Sequence, residues 1–247
     1  MLTCPLTQSD HKTLIARQNG FDWYRFPESG VLRVDLVRAI SDEVEYQEDF
    51  AESYIASYEK KWDKKMRRSI KRAKYLASLT DGRSIVDVGS NVGIFCEACH
   101  RTGFDPVGIE IAEPLYDYAC NRFPHLTFVN RPLETYAEER QFDIVYCAEV
   151  IEHTLDPAEF ARSLRRLLKP DGVLFLTTPA ASQYLEFGKP FMDLGAPDHK
   201  VYFDRHNILP FLQKAGFSDI RFRWGLNPKW KRFTPRFRPG LNVVARA

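Results

Sequence analysis

From residue 84 onward, apolar positions fall in short runs separated by longer amphipathic stretches. Ser84-Ile85-Val86-Asp87-Val88-Gly89 is a brief apolar run closed by glycine, the pattern of a buried strand. Residues 105–110, 126–129, 142–147 and 172–178 repeat it. Helix-length segments lie between most of these runs. One is 157–168, stopped by Pro170 and Gly172. Strands alternating with helices predict an α/β fold: a doubly wound, Rossmann-like, seven-stranded and mostly parallel sheet. Its last two strands are residues 219–224 and 241–246. A long loop without helical periodicity joins them, so they are expected to pair antiparallel.

Before the sheet, Ile55, Trp62, Met66, Ile70, Ala73 and Ala77 form an apolar stripe that predicts a helix over 49–79. Residues 1–40 are turn-rich, with β-like runs around 21–25 and 31–37. The expected organisation is an N-terminal hairpin segment over 1–40 and one larger domain over 41–247. Within the latter, 41–80 is a helical lead-in and 81–247 the core.

Composition narrows the class. The chain of 247 residues is 44% hydrophobic, enough for a substantial core. No apolar run approaches the roughly 18 residues of a spanning helix. The first ten residues lack the basic-then-apolar order of a secretion signal. The five cysteines are scattered through apolar context, as reduced thiols would be. These features predict a cytoplasmic protein without a membrane partner. A net charge of +2 creates no global field toward nucleic acid.

The first apolar run leads straight into Gly89-Ser90-Asn91-Val92-Gly93 and then a helix. Such a turn lets a ligand approach the backbone closely. The dinucleotide fingerprint needs a middle glycine, and Asn91 stands there instead, which argues against NAD or FAD. Glu110, about twenty residues on, can accept from both hydroxyls of a ribose.

Five segments in order, IVDVGSNVG (85–93), VGIEIAEP (107–114), NRPLETY (130–136), FDIVYCAEVIEHTLDP (142–157) and LLKPDGVLFLTTP (167–179), resemble class I S-adenosylmethionine-dependent methyltransferases over roughly 80–220. The resemblance implies that S-adenosylmethionine is the cofactor and a small molecule the methyl acceptor. It implies that Asp87, Gly89 and Gly93 line the methionine part and that Glu110 holds the ribose. Ile111 would pack on the adenine, with Leu133 and Glu134 on its other side. Ala148 and Glu149 would lie near the sulfonium.

The stretch AEVIEHTLDP (148–157) holds Glu149, Glu152 and His153. In a helix these stand at i, i+3 and i+4 and share one face. One reading makes His153 a general base, since a neutral imidazole can take a proton from an attacking hydroxyl. The other makes Glu149, Glu152 and His153 ligands of a divalent metal. E-x-x-E-H resembles ubiquinone-pathway O-methyltransferases and small-RNA 2′-O-methyltransferases, which use these positions so; His199 stands where the RNA enzymes add a histidine. The base reading is preferred.

Cys4-Pro5-Leu6-Thr7 and Phe26-Pro27-Glu28-Ser29-Gly30 resemble the paired C-P-x-C knuckles of a zinc ribbon that begins many relatives, with three of four thiols replaced. One cysteine cannot hold a structural zinc, so Phe21, Trp23, Tyr24 and Phe26 are expected to hold this segment. Cys96 and Cys99 form a C-x-x-C, read as small residues packing a helix. Nine of the fifteen residues 60–74 are basic, read as the polar face of an amphipathic helix. Lys229, Lys231, Arg232, Arg236 and Arg238 make a second group among aromatics.

The preferred function is O-methylation of a small metabolite such as a sugar or secondary metabolite. Its rivals are an RNA 2′-O-methyltransferase with a divalent metal, which would recruit nucleic acid, and a non-catalytic cofactor-binding module.

Overall fold

The structure, a computed structural model, describes residues 2–36, 43–136, 141–223 and 240–247, with backbone alone for 43–50. The chain order is β1 (Thr13–Gln18), β2 (Phe21–Arg25), β3 (Leu32–Asp35), α1 (Glu43–Lys60), α2 (Trp62–Leu76) and β4 (Ser84–Val88). Next come α3 (Ile94–Arg101), β5 (Asp105–Ile109), α4 (Glu113–Arg122), β6 (Thr127–Val129), α5 (Leu133–Tyr136) and β7 (Phe142–Ala148). The remainder is α6 (Pro157–Arg166), β8 (Leu168–Thr178), β9 (Leu185–Glu186), β10 (Lys189–Pro190), β11 (Val201–Tyr202), α7 (Arg205–Lys214), β12 (Ser218–Phe222) and β13 (Leu241–Arg246). Two compact units emerge. One comprises Met1–Ile40, Ala148–Arg162 and Leu176–Arg246, the other Ser41–Cys147 and Ser163–Phe175.

The main sheet has seven strands in the order β12-β13-β8-β7-β4-β5-β6. β4 lies between β5 and β7 and runs parallel to both, so the chain reverses direction across the sheet at β4. Sheets of this kind bind ligands at the carboxyl ends of the strands beside that reversal. β13 is inserted between β8 and β12 and runs antiparallel to β12, as expected from the lack of helical periodicity in the sequence between them.

Two boundaries and one N-terminal strand differ from the sequence expectation. The helix over 49–79 is two helices, because Lys61 leaves helical geometry (φ −117°, ψ 15°). The break turns Tyr54, Tyr58, Trp62 and Met66 onto one apolar cluster with Val92, Ile94 and Leu115. Strand β8 begins at Leu168, not 172, and contains Pro170; a missing donor is tolerated near a strand's start. Strand β1 was not foreseen. Its residues are too polar to alternate clearly, and its signal is the dipeptide Asn19-Gly20, both at positive φ in the turn to β2.

In the first unit, β1, β2, β3 and β11 form an antiparallel sheet. Trp23 is fully buried at its centre, 5.5 Å from Tyr202 between ring centroids. Two turns of this unit share one hydrogen-bond pattern. Cys4 N–H donates to Ser9 O and Gln8 N–H to Cys4 O, each at 2.9 Å. Phe26 N–H likewise donates to Val31 O (2.9 Å) and Gly30 N–H to Phe26 O (2.7 Å). Gln8 and Gly30, equivalent in the two turns, are both left-handed (φ 63° and 75°).

On α2, Met66, Ala73 and Leu76 are buried, while Lys64, Arg67, Arg68, Lys71 and Lys74 face solvent, as do Lys60 and Lys61 just before it. Arg72 points elsewhere, over the Tyr146 and Phe175 rings, with a hydrogen bond to the Tyr146 hydroxyl. The second basic group, 229–238, lies outside the described residues.

Candidate active site

In the second unit, the glycine turn and Glu110 form one hydrogen-bonded cradle. Gly89 N–H and Ser90 N–H both donate to Ile109 O at 2.9 Å. Asn91 N–H donates to Glu110 Oε2 (2.7 Å) and Ala112 N–H to Glu110 Oε1 (2.9 Å). Each carboxylate oxygen keeps a further lone pair for a ligand. Asn91 replaces the usual middle glycine yet is left-handed (φ 54°), a conformation asparagine tolerates. Gly93 opens α3 at φ 75°. A Cβ there would meet the Phe128 ring at 2.7 Å, so the turn cannot carry a side chain at this point.

Asp87 and Glu110 are both buried. Burial pushes both carboxyls up, and the Glu110 charge pushes Asp87 further. Backbone N–H groups oppose the shift at Glu110. Ile111 is 62% exposed. Asn130 Nδ2 holds the carbonyls of Glu110 (2.8 Å) and Ile111 (3.1 Å), a contact the sequence reading missed. Leu133 is buried and Glu134 half-buried at the start of α5. Cys96 and Cys99 are buried on α3, with the Cys96 Sγ 3.8 Å from Asp87 Oδ2. Burial raises both thiols, which keeps them protonated and inert.

The first unit holds AEVIEHTLDP, and it is not a helix with one shared face. Glu149 is left-handed (φ 58°), and only Ile151–His153 form a single 3₁₀ turn. The Glu149 carboxylate therefore turns toward Thr177, while Glu152 and His153 stay together, Oε1 of the one 3.9 Å from Nε2 of the other. Glu149 is exposed beside half-buried Ala148, and its Oε1 accepts from Thr177 Oγ1 at 2.7 Å. Glu152 is 1% exposed; its Oε2 accepts from Thr178 Oγ1 at 2.8 Å. Its Oε1 is buried with no hydrogen-bond partner.

His153 is half-buried, with Nδ1 2.8 Å from Asp198 Oδ1. Burial pulls its pKa down, but the Asp198 hydrogen bond and charge outweigh that and leave it raised. His199 lies beside it, 4.8 Å between ring centroids. Tyr202 OH donates to Leu194 O at 2.7 Å, so its oxygen accepts from His199 Nδ1, 2.5 Å away. Burial, then the neighbouring His153, lowers His199 to about 4, so it is neutral at pH 7. Both imidazoles thus carry a proton on Nδ1, and His153 Nε2 faces Glu152 Oε1 at 3.9 Å.

Glu152, His153 and His199 present one ligand atom each, all within 4.8 Å of one another. Lone pairs and an orphaned carboxylate oxygen this close repel one another, and a shared cation relieves that. The proton is one such cation: burial, then Glu149, raises Glu152 to about 7. Glu149 stands apart from this group, its carboxylate engaged with Thr177. Asp198, Tyr202, Thr177 and Thr178 complete the site. Adjacency to His199 was the only sequence signal for Asp198, and the others had none.

A doubly wound sheet with a glycine turn and an acidic residue ending the next strand defines a nucleotide-type binding fold. A family model described as a methyltransferase domain matches residues 58–221. The chain belongs to that family and is an enzyme of the methyltransferase class. It is 29% identical over 192 residues to the ubiquinone biosynthesis O-methyltransferase of Pseudoalteromonas translucida, covering 70% of this chain and 81% of that one. It is 38% identical over 104 residues to the enzyme of the same name from Methylococcus capsulatus, covering 39% of this chain and 44% of that one. Among solved structures, CalS10, an amino pentose methyltransferase from Micromonospora echinaspora, superposes with a TM-score of 0.59 at 18% identity. That likeness covers 79% of this chain and 97% of CalS10 and concerns the fold.

Proposed function

We propose that the protein transfers a methyl group from S-adenosylmethionine to a hydroxyl oxygen of a small metabolite. The observation that carries this is the Glu110 carboxylate, buried at the end of β5 and bonded to the glycine turn through Asn91 N–H. A preorganised acceptor pair with lone pairs to spare suits the two hydroxyls of a ribose. The relatives' shared name, O-methyltransferase, supports the choice of oxygen.

The cofactor supplies an activated methyl on a sulfonium, so the enzyme mainly positions and deprotonates. Asp87, Gly89 and Gly93 line its methionine part, Glu110 the ribose, and Ile111, Leu133 and Glu134 the adenine. Ala148 and Glu149 flank the sulfonium. His153, oriented by Asp198, takes the proton of the acceptor hydroxyl at Nε2.

A second reading is favoured by the orphaned Glu152 Oε1. Glu152, His153 and His199 would together hold a divalent cation, with Asp198 and Tyr202 orienting the two imidazoles. The cation would acidify the acceptor hydroxyl. Two nitrogens and a carboxylate suit Mn²⁺ or Zn²⁺ better than Mg²⁺.

The two matching turns at Cys4 and Phe26 support reading residues 1–40 as a zinc ribbon without its metal, preceding the methyltransferase domain of 41–247. Ser29 Oγ hydrogen-bonds Cys4 Sγ at 3.1 Å, and Thr7 N–H approaches that sulfur at 3.5 Å, as knuckle residues would. The solvent-facing cations of α2 fit an amphipathic helix, so a small acceptor is proposed ahead of RNA. No helix among the described residues is long and apolar enough to cross a membrane. The five cysteines are free, which suits a cytoplasmic setting.

The test is transfer of labelled methyl from S-adenosylmethionine to a panel of hydroxylated metabolites and short RNAs. Transfer to RNA alone, with a steep salt dependence, would replace the small acceptor. Binding of NAD in place of S-adenosylmethionine would reject the cofactor.

A further inference from the structure

The short segment bearing His153 is gripped on both sides by groups anchored in strand β3. β3 pairs with β11, Arg33 opposite Val201 and Leu32 opposite Tyr202. The ladder continues outward from there. Val34 N–H donates to Lys200 O at 3.2 Å, and Lys200 N–H donates to Glu152 O at 2.6 Å. These two bonds fix the peptide immediately before His153.

Two residues beyond His153, the chain is fixed by a side chain. Arg33 Nη2 donates to Leu155 O at 2.7 Å, while Nη1 donates to Thr3 O at 2.9 Å. Thr3 directly precedes Cys4 and the first of the two matching turns. One guanidinium therefore joins the N-terminal turn to the loop behind His153. Its Nε is buried with no partner. Burying a charged donor without a partner is destabilising, so the arrangement calls for a compensating use of this side chain.

We propose that Arg33 is a positioning residue for His153, and that the N-terminal segment serves as the scaffold of the acceptor-activating loop. This rests on the reading of His153 as the group that deprotonates, or helps a metal to acidify, the acceptor. The chemistry is specific to a guanidinium. Its planar fork spans two carbonyls at once, whereas an ammonium is a point charge that cannot hold both in the same geometry. The need for such a clamp is physical. Glu149 to His153 is a left-handed residue followed by one 3₁₀ turn, with no helix of its own to hold the imidazole. A displacement of about 1 Å at a reacting group costs on the order of a hundredfold in rate.

The test uses Arg33→Ala in the full chain, with readouts that need no acceptor. Amide hydrogen exchange over residues 150–156 should accelerate about tenfold, the worth of one lost hydrogen bond. The NMR signal of the Nδ1-bound proton shared by His153 and Asp198 should weaken or broaden. Calorimetric affinity for S-adenosylmethionine should stay within about twofold, since the cofactor cradle is untouched. Added ethylguanidinium should restore exchange protection and the imidazole signal, and ethylammonium should not. Unchanged exchange and an unchanged imidazole signal would overturn the proposal. So would losses that ethylguanidinium fails to repair and that extend to cofactor binding, because those mark general destabilisation. Should Arg33→Ala fail to fold, Arg33→Lys carries the test: native exchange and a native imidazole signal in that variant overturn it. Full turnover in His153→Ala would defeat the underlying reading instead, and leaves a distinct signature, since the clamp measurements do not involve catalysis.

Discussion

His153 Nδ1 and Asp198 Oδ1 stand 2.8 Å apart, and this pair sets which nitrogen of the imidazole is open. The carboxylate also raises the His153 pKa against the pull of burial. A base works in its neutral form, so turnover should rise as pH passes upward through that raised value. Asp198→Asn removes the charge that holds it up. The acidic limb of the pH–rate profile should then move to lower pH while the plateau falls by about 10–100-fold, within the usual worth of acid–base catalysis. His153→Ala should lower turnover by roughly 10²–10⁴-fold with cofactor affinity nearly intact. A pH profile that Asp198→Asn leaves in place would remove His153 from the role of base.

Chelation separates base from metal. If His153 acts alone, activity survives chelator treatment and His199→Ala is mild. If a cation joins Glu152, His153 and His199, chelation abolishes activity and Mn²⁺ or Zn²⁺ restores it. Glu152→Gln and His199→Ala should then be as damaging as His153→Ala. Glu149→Gln should be milder in either case, because its carboxylate is engaged with Thr177 outside that set.

Glu110→Ala should weaken S-adenosylmethionine binding. It removes acceptors for ligand hydroxyls, each charge-assisted hydrogen bond being worth about 1.5–3 kcal/mol. It also frees Asn91 N–H, which Glu110 Oε2 now holds at 2.7 Å, so the turn itself should loosen. Unchanged affinity by calorimetry would reject the ribose assignment.

Asp143 offers a stability test apart from the chemistry. Its Oδ2 accepts from Ser84 N–H (3.0 Å) and Ser84 Oγ (2.6 Å), and its Oδ1 accepts from Lys169 Nζ (2.9 Å). Burial alone would raise its pKa, but these bonds win and hold it at about 2. A depressed carboxyl contributes stability at pH above its unfolded value near 4 and loses it as pH falls toward 2. Asp143→Asn should thus cost about 2 kcal/mol at neutral pH, from nearly two pKa units at 1.36 kcal/mol each. The gap to wild type in urea midpoints should close between about pH 4 and pH 2. Equal midpoints at pH 7 would show that the cluster is not stabilising.

The centre of the sheet was legible because β4, β5, β7 and the second half of β8 are buried on both faces and read as continuous apolar runs. The turn at Gly89 and Gly93 was legible because positive φ limits which residues fit. What stayed hidden depends on contacts distant in sequence. Asp198 meets His153 across forty-five positions, and β11, a strand of two residues, pairs with β3 from far along the chain. The shared helical face of Glu149, Glu152 and His153 failed for a local reason: periodicity cannot show that Glu149 turns left-handed. Arg33 looked like an ordinary strand residue because its partners, Thr3 and Leu155, contribute backbone carbonyls and leave no trace in side-chain pattern.

If Cys4, Thr7, Phe26 and Ser29 occupy the four ligand positions of a ribbon, the purified protein carries no zinc there. The triple variant Thr7→Cys, Phe26→Cys and Ser29→Cys should gain it. The shared hydrogen-bond pattern of the two turns supports that the backbone is already in ligand geometry, and Ser29 Oγ already lies 3.1 Å from Cys4 Sγ. Removing the Phe26 ring, which is 1% exposed, should cost about 3–5 kcal/mol. A structural zinc supplies about 10–16 kcal/mol at pH 7, so the metal-bound variant should be at least as stable as wild type. Elemental analysis should find one zinc per chain in the triple variant, lost when Cys4→Ser is added, and chelation should lower its melting temperature steeply. Zinc in the wild-type protein that Cys4→Ser removes would sink the decayed-ribbon reading. A folded triple variant that takes up no zinc would show that the two turns resemble knuckles in hydrogen bonding only.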